Sequence, residues 1–139
     1  MAIVNIRDTG RNSARTTDVR ELATKVQKPS DTEAITAANT ITAAESGTRY
    51  VLNVAAAKIQ TLPTPAAGLE YWFYVGATEP TGTHTVVTAS SANIIVGNVS
   101  SPEDAAGSVA TVTDADTISF VANKAVHGDF VHVWSDGTN

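Results

Sequence analysis

Three histidines, His84, His127 and His132, and two close pairs of acids, Asp114 with Asp116 and Glu103 with Asp104, are the side chains of this sequence with chemistry to offer. Nucleophilic catalysis needs a Ser, Thr or Cys beside a base that an acid orients. Cysteine is absent, and no G-x-S-x-G occurs. His127 and His132 are five residues apart with no carboxylate spaced to orient either, and zinc signatures such as H-E-x-x-H are missing, so all three read as ordinary strand or turn histidines. Paired carboxylates can act as acid and base or bind calcium, but the EF-hand loop with its fixed ligand offsets is not present, which leaves solvated turn acids. Gly97 and Gly107 read as turn residues supplying positive φ rather than as a phosphate loop. Asn98-Val99-Ser100 is a glycosylation sequon, relevant only in a secreted protein. No catalysis, cofactor or metal is expected.

The arginines carry a sharper signal. Arg7, Arg11 and Arg15 recur every four residues, and Arg20 follows them. Met1 to Lys28 holds six bases (Arg7, Arg11, Arg15, Arg20, Lys25, Lys28) and three acids (Asp8, Asp18, Glu21), or +3; the total is −5, so the remainder carries −8. A cationic arm on an acidic body suggests that the two parts meet different partners. Nucleic acid is the obvious partner for the arm, but phosphate would repel the body, so an acidic protein surface is favoured and nucleic acid is not expected. Thr17 to Val26 is the arm's best helical stretch, with Thr17 or Asp18 as cap and Val19, Leu22, Ala23 and Val26 on one face. Arg7 and Asp8 sit where a signal peptide would be apolar, and no run reaches membrane-spanning length, so the expectation is a protein made in the cytosol with no membrane partner.

The arm, residues 1–44, shows no sustained strand alternation. From Arg49 onward the pattern changes to eight strand-like runs: Arg49 to Val54, Lys58 to Leu62, Glu70 to Val75, His84 to Thr88, Asn93 to Val96, Val109 to Val112, Thr117 to Val121 and Phe130 to Trp134. Gly and Pro separate them, as in Pro63-Thr64-Pro65 and Glu79-Pro80-Thr81-Gly82. Short, regularly punctuated strands predict an all-β fold: an antiparallel β-sandwich, jelly-roll-like, over residues 45–139, with an extended arm carrying at most one short helix. Tyr71, Trp72, Phe73 and Tyr74 put rings on both faces of one strand; with Trp134 they form a candidate oligomer interface, a core role being equally open.

Ser46-Gly47-Thr48-Arg49-Tyr50-Val51-Leu52-Asn53-Val54, followed by Ile59 to Phe73 and closed by Asp116 to Asn123 and Gly128 to Asn139, resembles a recurrent β module of tailed-bacteriophage virion proteins, in particular capsid decoration (cement) proteins. The likeness spans about Ala44 to Asn139, and the module also occurs in fibres. One departure is that the module usually continues past Asp136-Gly137-Thr138-Asn139 with an aromatic and a further short strand. The resemblance implies a homotrimer on the virion capsid surface, assembled in the host cytoplasm, whose arm grips the major capsid protein through Arg7, Arg11, Arg15 and Arg20. The alternative is a fibre or spike module that binds a receptor glycan on exposed Trp72, Tyr74 or Trp134.

Overall fold

A computed structural model describes residues 31–100 and 109–138. Residues 1–30, with the four arginines and the expected helix, lie outside the described residues, as do Glu103 and Asp104. Asp31–Asn139 forms one compact unit.

Ten strands run in chain order: β1 (Thr32–Ile35), β2 (Asn39–Thr40), β3 (Arg49–Leu52), β4 (Ile59–Thr61), β5 (Glu70–Val75), β6 (His84–Val87), β7 (Ile95–Ser100), β8 (Val109–Ala115), β9 (Thr117–Phe120) and β10 (Phe130–Trp134). Each of the eight expected runs overlaps one of them, although β7 and β8 extend well past the runs Asn93 to Val96 and Val109 to Val112. From β1 to β6, odd and even strands separate as the chain advances. One sheet has the order β1-β3-β5-β10, the second β2-β4-β6-β9, and β7-β8 is a separate hairpin. The chain therefore winds as three coils, each giving one strand to each four-stranded sheet. Successive coils pair in parallel, Arg49 against Trp72 and Ile59 against Thr85 for example. Parallel neighbours need a long return path. Here that path is a strand of the other sheet. β9 then closes antiparallel on β6 and β10 on β5.

The expected antiparallel jelly roll is corrected on this point: the fold is mostly β, but its four-stranded sheets are mixed, and four of the seven strand pairings among the described residues are parallel. Residues 32–40, read from the sequence as the end of the arm, supply the edge strands β1 and β2, so the strand-bearing unit begins at Asp31 rather than at residue 45. These strands are short and polar, and only Ile35 in β1 and Ile41 after β2 are deeply buried, too few to show a period of two.

Alternation sorts the side chains. In β5, Tyr71, Phe73 and Val75 face inward; in β3, Tyr50 and Leu52 do. With Val86 of β6 and Phe120 of β9 they join a single buried cluster fed by both sheets. Tyr50 and Phe73 stack at 5.3 Å between ring centroids. Two core tyrosines keep their hydroxyls satisfied at the 3-10 turn Ala43–Glu45: Tyr71 donates to the Thr42 carbonyl at 3.0 Å and Tyr50 to the Glu45 carboxylate at 3.4 Å. Glu45 also receives the Thr42 N–H and hydroxyl, each at 2.6 Å, and these bonds hold its carboxyl below the usual carboxylate range. Burial pushes both tyrosine hydroxyls up.

The coils stack closely at their turns. Thr81 and Gly82 both donate to the Ala55 carbonyl at 2.9 Å. A side chain at Gly82 would place its Cβ 2.5 Å from the Ala57 nitrogen. Backbone cannot yield as a side chain can, so Gly82→Ala is expected to cost about 1–3 kcal/mol. Gly97, expected in a turn, lies inside β7 with no atom within 4 Å of such a Cβ. Gly97→Ala is expected to change stability by less than about 0.5 kcal/mol. Urea-unfolding midpoints of the two variants check the contrast.

Candidate functional site

Alternation that buries Tyr71 and Phe73 turns Trp72 and Tyr74 outward on β5. The four-aromatic run therefore divides: Tyr71 and Phe73, 3% and 0% exposed, are core, and the expectation that they meet a partner is corrected. Strand β10 carries Phe130, His132 and Trp134 on its outward face, and its register places Phe130 opposite Tyr74 and His132 opposite Trp72. β3 adds Val51 opposite Tyr74 and Arg49 opposite Trp72 on the other flank. The outer face of the first sheet is thus two rows across the strands, Val51-Tyr74-Phe130 and Arg49-Trp72-His132, with Glu70 and Trp134 paired at one end.

The rings stand against one another. Trp72 stacks on His132 at 3.7 Å with 6° between planes, Tyr74 on Phe130 at 5.7 Å, and Trp72 lies 6.3 Å from Tyr74. Opposed side chains on neighbouring strands are near enough to pair in this way. Stacking uses up ring faces and leaves ring edges toward solvent. His132 is held further by Glu70, Nε2 to Oε2 at 3.5 Å, an ion pair when the imidazole is protonated. Phe130 and Trp134 remain 61% and 66% exposed, and Trp134 joins none of the ring stacks among the described residues. Arg49 is exposed and its guanidinium makes no ion pair among the described residues.

The outer face of the second sheet differs in kind. Its cross-strand rows are Thr40-Thr61-Val87-Thr117 and Ile59-Thr85-Ser119, with no charged or aromatic side chain. Among the described residues, apolar rings, a cation without an ion pair and an acid converge on the first of the two four-stranded sheets, the residue mixture that protein interfaces concentrate.

The histidines fall into different roles. His84 is 1% exposed and its ring spans the turn after β3: Nδ1 accepts the Lys58 N–H at 3.2 Å and Nε2 sits 2.8 Å from the Val54 carbonyl. The acceptor role of Nδ1 fixes the neutral tautomer with its proton on Nε2. His127 is an exposed turn residue whose N–H donates to Glu79 at 3.4 Å. Asp116 accepts the Thr117 hydroxyl at 2.8 Å beside Asp114, which has φ of 58°. No group of three or more His, Asp or Glu side chains among the described residues is arranged to hold a metal ion.

Reading the sequence alone gathers Trp72, Tyr74 and Trp134 but misses Phe130, His132, Arg49 and Glu70. The period of two in Phe130-Val131-His132-Val133-Trp134 was signal enough for the first two. Arg49 and Glu70 needed the pairing of β3 with β5 and of β5 with β10, which no local pattern encodes. Comparison with protein-family models, with curated proteins and with solved structures finds no match to this chain.

Proposed function

We propose that this chain is a structural subunit of a phage virion, a homotrimeric cement protein that binds the outside of the head and stabilises the lattice of the major capsid protein. In this reading the two sheets form a β-sandwich body that associates with copies of itself through the ringed face of the first sheet. The arm, with Arg7, Arg11, Arg15 and Arg20, lies on carboxylates of the coat. The observation that carries the proposal is the open face bearing Trp72, Tyr74, Phe130, His132 and Trp134. An exposed aromatic patch of this kind marks an interaction site more often than idle surface. The resemblance of Ser46 to Phe73, of Asp116 to Asn123 and of Gly128 to Asn139 to virion modules supplies the setting. Three arms on one trimer bind far more tightly than one where the geometry lets all engage.

Light scattering of the purified chain is expected to give three times the 14.4 kDa protomer mass. Co-sedimentation with heads lacking the protein is expected to saturate for the full chain and to fail once Met1 to Lys28 is removed. A truncated protein that still saturates heads overturns the role of the arm, and a monomer overturns the role of the face.

Trp134 favours a second reading. Its ring is exposed and joins no stack among the described residues, and an open ring face is what a sugar stacks on. A fibre or spike module would retain host glycans through Trp134 and ignore heads. Trp72 is a poorer platform, because His132 covers one of its faces.

A further inference from the structure

The ringed face carries charges of both signs. Beyond Lys28 the sequence has three bases, Arg49, Lys58 and Lys124, against a remainder of −8. Of these, Arg49 alone lies on the outer face of the first sheet. Its guanidinium is exposed beside Trp72 and makes no ion pair among the described residues. Glu70 sits two residues before Trp72 on the neighbouring strand, yet its carboxylate contacts His132, on the far side of β5 from Arg49. The Glu70 side chain is still 51% exposed. Base and acid therefore lie almost side by side on one face without satisfying each other.

We infer that the ringed face is self-complementary and that Arg49 of one copy pairs with Glu70 of the next. The inference rests on the proposed self-association through this face and adds what sets its register. A body with a net charge of −8 repels its own copy. One arginine inside the contact, opposite a carboxylate of the next copy, offsets that repulsion and rejects misaligned docking, in which Glu70 would meet Glu70. The closeness of the two residues suits a closed ring. Each copy offers Arg49 to one neighbour and Glu70 to the other, both near the symmetry axis, so that no cation or carboxylate is left over. Arginine is the cation for this place because its planar fork grips a carboxylate through two parallel hydrogen bonds, and its flat face lies well against an indole.

Charge exchange on the full-length chain tests the pairing. Arg49→Glu and Glu70→Arg are each expected to weaken self-association at least about tenfold by sedimentation or light scattering across a dilution series, and the double exchange Arg49→Glu with Glu70→Arg is expected to recover most of it. Both side chains are exposed, so folding of each variant, checked by its thermal melt, is expected to match the parent. Single exchanges that leave assembly unchanged while Trp72→Ala dissociates it overturn the pairing and leave the face standing. Single losses that the double exchange does not restore overturn the pairing too. A parent chain that stays monomeric at every concentration overturns the self-association itself.

Discussion

Phe73→Ala is expected to lower the unfolding free energy by about 3–5 kcal/mol, whereas Trp72→Ala, one residue away, is expected to cost the isolated subunit no more than about 1–2 kcal/mol and to abolish self-association. Phe73 has no exposed surface and stacks on Tyr50 at the middle of the core, so truncation leaves a cavity that both sheets would have to collapse to fill. Trp72 loses a stack with His132 on a surface that water already reaches. Equilibrium urea unfolding and light scattering on both variants separate the effects. Equal destabilisation by the two would mean that the outward rings act as core, and the ringed face would lose its standing as an interface.

His84→Leu is the second large expectation, with a loss of about 2–5 kcal/mol and a melting transition lowered accordingly. Leucine fills similar space but strands two partly buried partners, the Lys58 N–H and the Val54 carbonyl. A lost hydrogen bond between exposed groups costs little; an unsatisfied buried one costs its full desolvation. His84→Gln can reach one of the two and is expected to fall between. If His84→Leu proves neutral, the turn after β3 does not depend on the imidazole.

How far the sequence reaches is clearest in the run Tyr71 to Tyr74. Four adjacent rings could not be divided into core and surface by composition, because alternation assigns two of them to each face without saying which face is covered. That needed β3, with Tyr50 and Leu52 on the same side as Phe73. The later strands were legible because apolar or β-branched runs are set off by turn residues, Gly68 and Gly76 around β5 and Gly128 and Gly137 around β10 most clearly. Their partners were not legible, since a strand with one covered face looks alike whether its neighbour runs with it or against it. Thr32–Ile35 and Asn39–Thr40 escaped because they are polar and bury only Ile35 and the following Ile41, which leaves no alternation to read. Arg49 reads locally as the first residue of a strand, and only its register with Trp72 makes it part of a site.

The alternate placing of strands in two sheets also sets an order of events during synthesis. As the chain leaves the ribosome, each coil can settle on the one before it, but β5 and β6 keep bare edges until β9 and β10 arrive much later in the sequence. Bare edges beside Trp72 and Tyr74 invite pairing with other nascent chains. The closing strands thus act as a late seal, and slow or interrupted translation between β6 and β9 is the interval in which this protein is most exposed to aggregation.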